Sequence, residues 1–122
     1  MERVAIVIPT YNSGRTVGET LASLVEQGPH LERVASVWVA DDCSSDDTLA
    51  VVESAWSVPV QLKILTGEHN LGQWENVNRG VGEVRPHVEW ILILHSDDVA
   101  KPNWLGLMLR RISDCGASVL HM

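Results

Sequence analysis

The chain has 122 residues and a net charge of −7, with nine Lys and Arg against sixteen Asp and Glu. This length suffices for one domain with its own hydrophobic core and is too short for two. The negative charge, without any run of Lys or Arg, argues against nucleic acid as a partner. No segment approaches the roughly 20 apolar residues of a membrane span, so we expect no integral membrane segment. The N-terminus lacks a secretion signal, which makes a cytoplasmic location the default expectation.

The first predicted unit is a buried strand followed by an amphipathic helix. Residues 4–8 form a continuous apolar run that Pro9 ends, which is typical of a strand buried on both faces. Asn12 or Ser13 is the expected N-cap of the helix, whose apolar residues recur at helical spacing. Gly28, followed by proline, is expected to end it.

A second unit of the same kind follows. Residues 34–40 form the next apolar run. Ser44 or Ser45 is the expected N-cap of the second helix. Asp46 and Asp47 lie in its first turn, where the helix dipole favours negative charge, so we interpret this pair as structural.

The third unit begins after Pro59, which ends the second helix at about residue 56. Residues 60–65 are expected to form a strand and residues 67–72 a loop. Residues 73–84 are expected to form a helix that contains two glycines, so its stability must come partly from tertiary contacts. We expect Trp74 to pack against the sheet.

The fourth strand is predicted over residues 88–94, and Pro102 or Asn103 opens the helix after it. Trp104 in that helix is also expected to pack on the sheet, and residues 117–121 are a candidate fifth strand. Strands that alternate with helices predict an α/β fold with three layers, in which helices cover both faces of a mostly parallel sheet.

Two adjacent carboxylates, Asp97 and Asp98, directly follow the most apolar strand. Like charges side by side resist desolvation, so a cation or water must be close to them. Carboxylate oxygens are the ligands that Mg²⁺ and Mn²⁺ prefer, usually together with substrate phosphates. This segment alone is equally compatible with a metal-phosphate site and with a solvated turn before a helix.

Polar clusters follow each of the four main predicted strands. Because the carboxyl ends of parallel strands meet at one edge of a sheet, these clusters are expected at the same rim, where α/β proteins bind ligands. The clusters are Pro9-Thr10-Tyr11-Asn12, Asp41-Asp42-Cys43-Ser44-Ser45, Glu68-His69-Asn70-Leu71-Gly72 and His95-Ser96-Asp97-Asp98.

Four motif groups occur in an order and at spacings that match one known family. They are Val7-Ile8-Pro9-Thr10-Tyr11-Asn12, Val39-Ala40-Asp41-Asp42-Cys43-Ser44-Ser45-Asp46-Asp47-Thr48, Asn70-Leu71-Gly72 with Asn78-Arg79-Gly80, and Leu94-His95-Ser96-Asp97-Asp98 with Pro102-Asn103-Trp104-Leu105. Together they resemble the nucleotide-binding half of the family-2 glycosyltransferases, which have the GT-A fold. The resemblance covers nearly the whole chain.

The resemblance implies a site for a nucleotide-diphosphate sugar, with a UDP-sugar favoured. Asp42 would contact the base, Asp97 would lie toward the ribose and the metal-bound waters, and Asp98 would bind Mg²⁺ or Mn²⁺ directly. The implied nucleotide-binding residues are Pro9, Thr10, Tyr11, Asn12, Asp42, Gly72, Asn78, Arg79 and Asp97. The metal would act as a Lewis acid on the leaving nucleotide diphosphate.

The chain departs from the family pattern at two places. Val77 occupies the position that is usually basic, and Arg79 lies one residue beyond Asn78, which turns a helical side chain by about 100°. His95 and Ser96 replace the commoner lead into the acidic motif. His69 and His95 are expected at the rim, where an imidazole can contact phosphate or metal, although a histidine in this position is more often only a polar loop residue.

Residues 1–122 are expected to form a single GT-A-like domain, the donor-binding half of a transferase without the acceptor-binding half. No residue here is a convincing catalytic base, so one is expected in the missing part, and we expect little or no transfer by this chain. The alternative is a non-catalytic nucleotide or nucleotide-sugar binding module. The sequence does not identify the acceptor.

Self-association is a further expectation from the resemblance. The apolar residues 90–94, together with Val119 and Leu120, would lie next to an uncovered sheet edge. Exposed edges and apolar surface promote pairing with another chain, which predicts a homo-oligomer through the C-terminal edge.

Overall fold

The computed structural model describes residues 3–114 and 119–121, the last three as a backbone strand. It contains one sheet of five strands. The strands are β1 (Val4–Thr10), β2 (Ser36–Asp41), β3 (Leu62–Thr66), β4 (Trp90–Ile93) and β5 (Val119–His121). Their order in the sheet is β3-β2-β1-β4-β5, and every neighbouring pair is parallel. The predicted α/β alternation is therefore confirmed.

Four α-helices connect these strands. They are α1 (Val17–Val25), α2 (Thr48–Ala55), α3 (Gln73–Val84) and α4 (Trp104–Asp114). Two short 3₁₀ helices, Gly28–Arg33 and Arg85–His87, are additional elements that the sequence analysis did not predict. Helix α1 ends at Val25, three residues before Gly28. Gly28 has φ +65°, a left-handed conformation that favours glycine, and it is the first residue of the first 3₁₀ helix.

Alternate residues of the central strands pack into two separate cores. Ile6, Val39 and Leu92 lie in the larger core with residues of α1, α2 and α4. Val7 and Ile93 lie in the second core, beneath α3. The sheet is thus covered on both faces, as the continuous apolar runs predicted for buried parallel strands.

Both predicted pairs of N-caps are wrong. Helix α1 begins only at Val17, after Thr16, because the side chains of Asn12 and Ser13 make other contacts. Helix α2 is preceded by Asp47, and the neighbouring Asp46 carboxylate accepts the backbone N–H of Thr48 at 3.0 Å. The structural interpretation of this acidic pair is therefore confirmed for Asp46.

The apolar strand β4 does not border an open edge in the described part of the chain. It pairs with β1 on one side and with β5 on the other, which corrects the expectation that residues 90–94 lie beside an uncovered edge. The outermost described strand on this side is β5. Residues 117 and 118 of the predicted fifth strand lie outside the described residues. A homo-oligomer through the C-terminal edge stays a prediction.

None of the helices in the described part of the chain is long and apolar enough to cross a membrane.

The two glycines of α3 provide a matched test of how this helix contacts the sheet. A Cβ at Gly80 would lie 2.9 Å from Cβ of Ala40, whereas a Cβ at Gly82 would meet nothing within 4 Å. We expect Gly80→Ala to lower the free energy of unfolding by about 1 kcal/mol or more, because overpacking outweighs the gain in helix propensity. Gly82→Ala should raise it by about 0.5–1 kcal/mol. Urea denaturation measures both, and equal effects would contradict the close approach of α3 to β2.

Candidate functional site

An open cleft of about 540 Å³ lies at the carboxyl edge of the sheet. Segments after β1, β2, β3 and β4 all contribute to it, which confirms that the polar clusters meet at one rim. Its volume is within the usual range for small-molecule sites. The lining residues are Pro9, Thr10, Tyr11, Asn12, Ser13, Thr16, Asp42, Asn70, Gly72, Gln73, Asn76, His95, Ser96 and Asp97.

Most residues of the predicted nucleotide-binding set line this cleft. Those that do are Pro9, Thr10, Tyr11, Asn12, Asp42, Gly72 and Asp97. Asn78 lies on the exposed side of α3, and Arg79 and Asp98 also lie outside the lining. The geometry therefore brings seven of the nine predicted nucleotide-binding residues together at the cleft. It gives no support to a nucleotide contact by Asn78 or Arg79.

Asp41 connects the end of β1 to the loop after β2. Its side chain is 1% exposed. One carboxylate oxygen accepts the hydroxyls of Thr10 and Ser44, each at 2.6 Å, and the other accepts the backbone N–H of Ser44 at 2.9 Å. Buried carboxylates need such partners, and here the partners are the last residue of β1 and the start of the loop after β2. Asp41 therefore fixes these loops relative to each other.

Asp42 connects the loop after β2 to the loop after β3. It is 2% exposed, yet it lines the cleft. Its two carboxylate oxygens accept the backbone N–H groups of Leu71 at 2.7 Å and Gly72 at 2.9 Å. Gly72 has φ +89°, so the loop adopts a conformation suited to glycine just before α3 begins. A carboxylate oxygen has two lone pairs, so Asp42 retains capacity for a ligand donor.

Asn12 connects the loop after β1 to the loop after β2. Its side-chain oxygen accepts the backbone N–H of Ser45 at 2.8 Å, and its own backbone N–H donates to the hydroxyl of Ser44 at 2.9 Å. Asn12 has φ +48°, a region that Asn tolerates better than most residues. The residue predicted as a helix cap is therefore a connector between loops.

Asp46 makes a related contact beside α2. The hydroxyl of Thr48 donates to its carboxylate and lowers the pKa of Asp46 below the ordinary value of an aspartate, and the backbone N–H groups of Thr48 and Gly14 act in the same direction. Because these donors favour the charged form, Asp46 stabilises the start of α2 as a carboxylate.

Polar residues on α1 and just beyond its end hold the segment that carries the acidic pair. The hydroxyl of Thr20 lies 3.0 and 2.7 Å from the carbonyl oxygens of Ser96 and Asp98. Further along the chain, Ser23 accepts the backbone N–H of residue 100, and Gln27, two residues after the end of α1, donates to the carbonyl oxygen of residue 101. These three buried residues were missed by the sequence analysis. Their spacing of three and four residues beside an apolar stripe is the available signal.

Two residues of α3 support the end of β2. Asn76, buried and also missed, donates to the carbonyl oxygen of Ala40 at 2.9 Å. Arg79 donates to the carbonyl oxygen of Asp41 at 2.9 Å and to the side-chain oxygen of Asn76 at 2.8 Å. In this geometry the Arg79 guanidinium stabilises the sheet edge beneath the cleft.

Both carboxylates of the acidic pair, Asp97 and Asp98, are exposed. Asp97 and His95 line the cleft, whereas His69 lies outside the lining. Within residues 3–114 and 119–121, no group of three or more His, Cys, Asp or Glu side chains is placed to hold a metal ion alone. Among the described lining residues there are two carboxylates and no lysine or arginine. The cleft is therefore acidic.

The two tryptophans have different environments. Trp104 is buried in the larger core, as predicted. Trp74 is 72% exposed, so the expectation that it packs on the sheet is wrong. It lies at the second position of α3, whose inward side is formed by Val77, Gly80 and Val84.

The Asp41 contacts give a test with a matched control. In Asp41→Asn, an amide NH₂ replaces one acceptor oxygen, so a buried donor loses its partner. We expect a loss of about 1–3 kcal/mol in the free energy of unfolding. Glu53→Gln removes the same charge from an exposed position within α2 and should change it by less than about 0.5 kcal/mol. Equal denaturation midpoints for the two variants would contradict a structural role for Asp41.

Comparisons with known proteins agree with this geometry. The sequence model of glycosyl transferase family 2 matches residues 5–121. The succinoglycan biosynthesis protein ExoO of Rhizobium meliloti (strain 1021) is 35% identical over 117 residues, which are 95% of this chain and 31% of that protein. The chain thus spans about a third of the length of this relative.

Solved structures share the same architecture. Residues 1–349 of S. aureus TarS in complex with UDP-GlcNAc superpose with a TM-score of 0.77 at 32% identity, over 92% of this chain and 31% of that one. Glucosyl-3-phosphoglycerate synthase from Mycobacterium tuberculosis, with Mn²⁺, UDP and glucosyl-3-phosphoglycerate, gives a TM-score of 0.71 at 18% identity over 91% of this chain and 39% of that one, which shows a common fold. This chain belongs to glycosyl transferase family 2 and has the GT-A fold.

Proposed function

We propose that the cleft binds a nucleotide-diphosphate sugar, with a UDP-sugar favoured, as the donor in glycosyl transfer. The observation that carries the proposal is the cleft itself. It is lined by a buried carboxylate that two backbone N–H groups hold, Asp42, and by the exposed carboxylate of Asp97, which the exposed Asp98 follows in the chain. A nucleotide-diphosphate has a base with ring donors at one end and an anionic diphosphate at the other.

Asp42 is the proposed acceptor for the base. A uracil ring offers one imide N–H, and a carboxylate held by two backbone donors presents its remaining lone pairs without reorganisation. Tyr11, which is 52% exposed and lines the cleft, offers an aromatic surface to the flat ring. Pro9 and Thr10 form the adjoining wall, and the Thr10 hydroxyl is already committed to Asp41.

A divalent cation, Mg²⁺ or Mn²⁺, is part of the proposal because of charge. Two carboxylates and no lysine or arginine line the cleft among the described residues, so a diphosphate there would face repulsion. Asp97 and Asp98 supply the hard oxygen ligands that these ions take, and phosphates and water complete such sites. The donor set therefore fits, with Asp98 as the proposed direct ligand and Asp97 toward the ribose and metal-bound waters. A bound ion would supply Lewis-acid stabilisation of the leaving diphosphate.

Other residues of the chain hold the proposed donor-binding groups in position. Thr20, Ser23 and Gln27 hold the segment that carries the acidic pair against α1. Asp41 and Asn12 hold the two loops on the base side. Such fixed geometry keeps the donor aligned and limits reorganisation during reaction.

Relatives support the choice of donor class. TarS, at 32% identity, was crystallised with UDP and with UDP-GlcNAc. The mycobacterial synthase, which shares the fold, was crystallised with Mn²⁺ and UDP. The specific sugar and the acceptor are not part of the proposal, and the alternative is nucleotide-sugar binding without transfer.

Calorimetric titration with UDP tests the proposal. We expect binding in Mn²⁺ to be at least about tenfold tighter than in EDTA, a difference of about 1.4 kcal/mol. Asp98→Ala should remove this difference, because the chain then lacks its direct ligand for the ion. Asp114→Ala, which removes one exposed carboxylate elsewhere, is the matched control and should retain it.

Two results would contradict the proposal in separate ways. Equal UDP affinity of the unmodified chain in Mn²⁺ and in EDTA would contradict the metal site and the role of Asp98 as its ligand. Failure of both UDP and uridine to bind under either condition would contradict the nucleotide site itself.

A further inference from the structure

A second groove, of about 380 Å³, lies between the Gly28–Arg33 helix and α4. It shares no lining residue with the cleft. The residues that line it are His30, Arg33, Asn103, Gly106, Leu107, Leu109, Arg110 and Ser113. Among these described residues there are two arginines, one histidine and no carboxylate, in a chain whose net charge is −7.

The basic side chains are brought together by the local geometry of two helices. In a 3₁₀ helix, residues three apart eclipse each other, so His30 and Arg33 project from the same side. Buried Leu31 holds this helix on the larger core. On α4, Gly106, Arg110 and Ser113 follow at spacings of four and three, which is one face of an α-helix. The groove is therefore formed between these two faces, and Leu107 and Leu109 of α4 add apolar surface to it.

His30 lies directly against α4 at Gly106. A Cβ at residue 106 would be 2.9 Å from Nε2 of His30, so only glycine leaves room for the imidazole in this position. Glycine in a helix interior is unfavourable relative to alanine, because the unfolded chain gains conformational freedom. The close contact with His30 explains why residue 106 is a glycine, and it places the imidazole in the groove against α4.

We propose that this basic groove is a binding site for a phosphate group. Guanidinium groups offer paired N–H donors that match the oxygens of phosphate, and an anion relieves the repulsion between neighbouring cations. Arg33 and Arg110 are the charged ligands, and the His30 imidazole and the Ser113 hydroxyl are further hydrogen-bonding groups. The site requires no metal and does not depend on the function proposed for the cleft.

Titration with inorganic phosphate at constant ionic strength, followed by NMR in the presence of EDTA, tests the site. We expect saturable shifts at residues 28–33 and 103–113 that chloride does not produce. Arg33→Gln combined with Arg110→Gln should weaken binding about tenfold or more, because hydrogen bonds to charged groups are lost. Arg3→Gln combined with Arg85→Gln, at exposed positions outside the groove, makes the same charge change and should leave the affinity within about twofold.

Gly106→Ala provides a second variant that leaves every charge in place. The added methyl group meets the far end of the His30 side chain, which can rotate. We therefore expect the fold to persist while the imidazole moves out of its position in the groove. We expect weaker phosphate binding with unchanged urea denaturation or a small gain in stability.

The source of the phosphate is decided by vesicles that contain phosphatidylglycerol. Retention of the chain that is lost in the double Gln variant assigns the group to a lipid headgroup, and no retention assigns it to a soluble phosphate compound. Phosphate shifts that do not saturate, that occur equally with chloride, or that persist in the double Gln variant would overturn the proposal.

Discussion

The site depends on one buried carboxylate, Asp41, at the carboxyl end of β2. It accepts hydrogen bonds from the last residue of β1 and twice from Ser44, and its own carbonyl oxygen accepts from Arg79 and from the backbone of Gly67. The ends of β1, β2 and β3 and the side of α3 are thus joined at one residue. Because a buried carboxylate without partners is costly, these contacts are mutually dependent. These contacts hold Thr10, which lines the cleft, against the end of β2.

The neighbouring carboxylate, Asp42, has a different task. Its backbone partners, Leu71 and Gly72, belong to the loop after β3, and the acceptor capacity that remains on its carboxylate is available to a ligand in the cleft that it lines. Of these two adjacent acids, Asp41 connects the loops and Asp42 is the proposed acceptor for the base. Asp97 is the second carboxylate that lines the cleft, and this negative charge favours a cation beside any bound diphosphate.

The sequence predicted the fold well because its signals are local. Apolar runs, proline and glycine located the strands, the helices and the common rim. Side-chain partners were less predictable, since the hydrogen bond from Thr10 to Asp41 spans 31 residues and that from Gln27 to Lys101 spans 74. Local propensity suggested that Asn12 caps a helix, but tertiary contacts gave it another role. The 3₁₀ helix after Gly28 was missed because such short elements have little periodicity.

The central claim is that a nucleotide-diphosphate occupies the cleft between Asp42 and the acidic pair. NMR titration with UDP, first with Mg²⁺ and then with Mn²⁺, tests it most directly. We expect shifts at residues 9–13, 42 and 70–73, and paramagnetic broadening by Mn²⁺ centred on residues 95–98. Broadening centred elsewhere, or UDP shifts confined to the groove between the Gly28–Arg33 helix and α4, would contradict it.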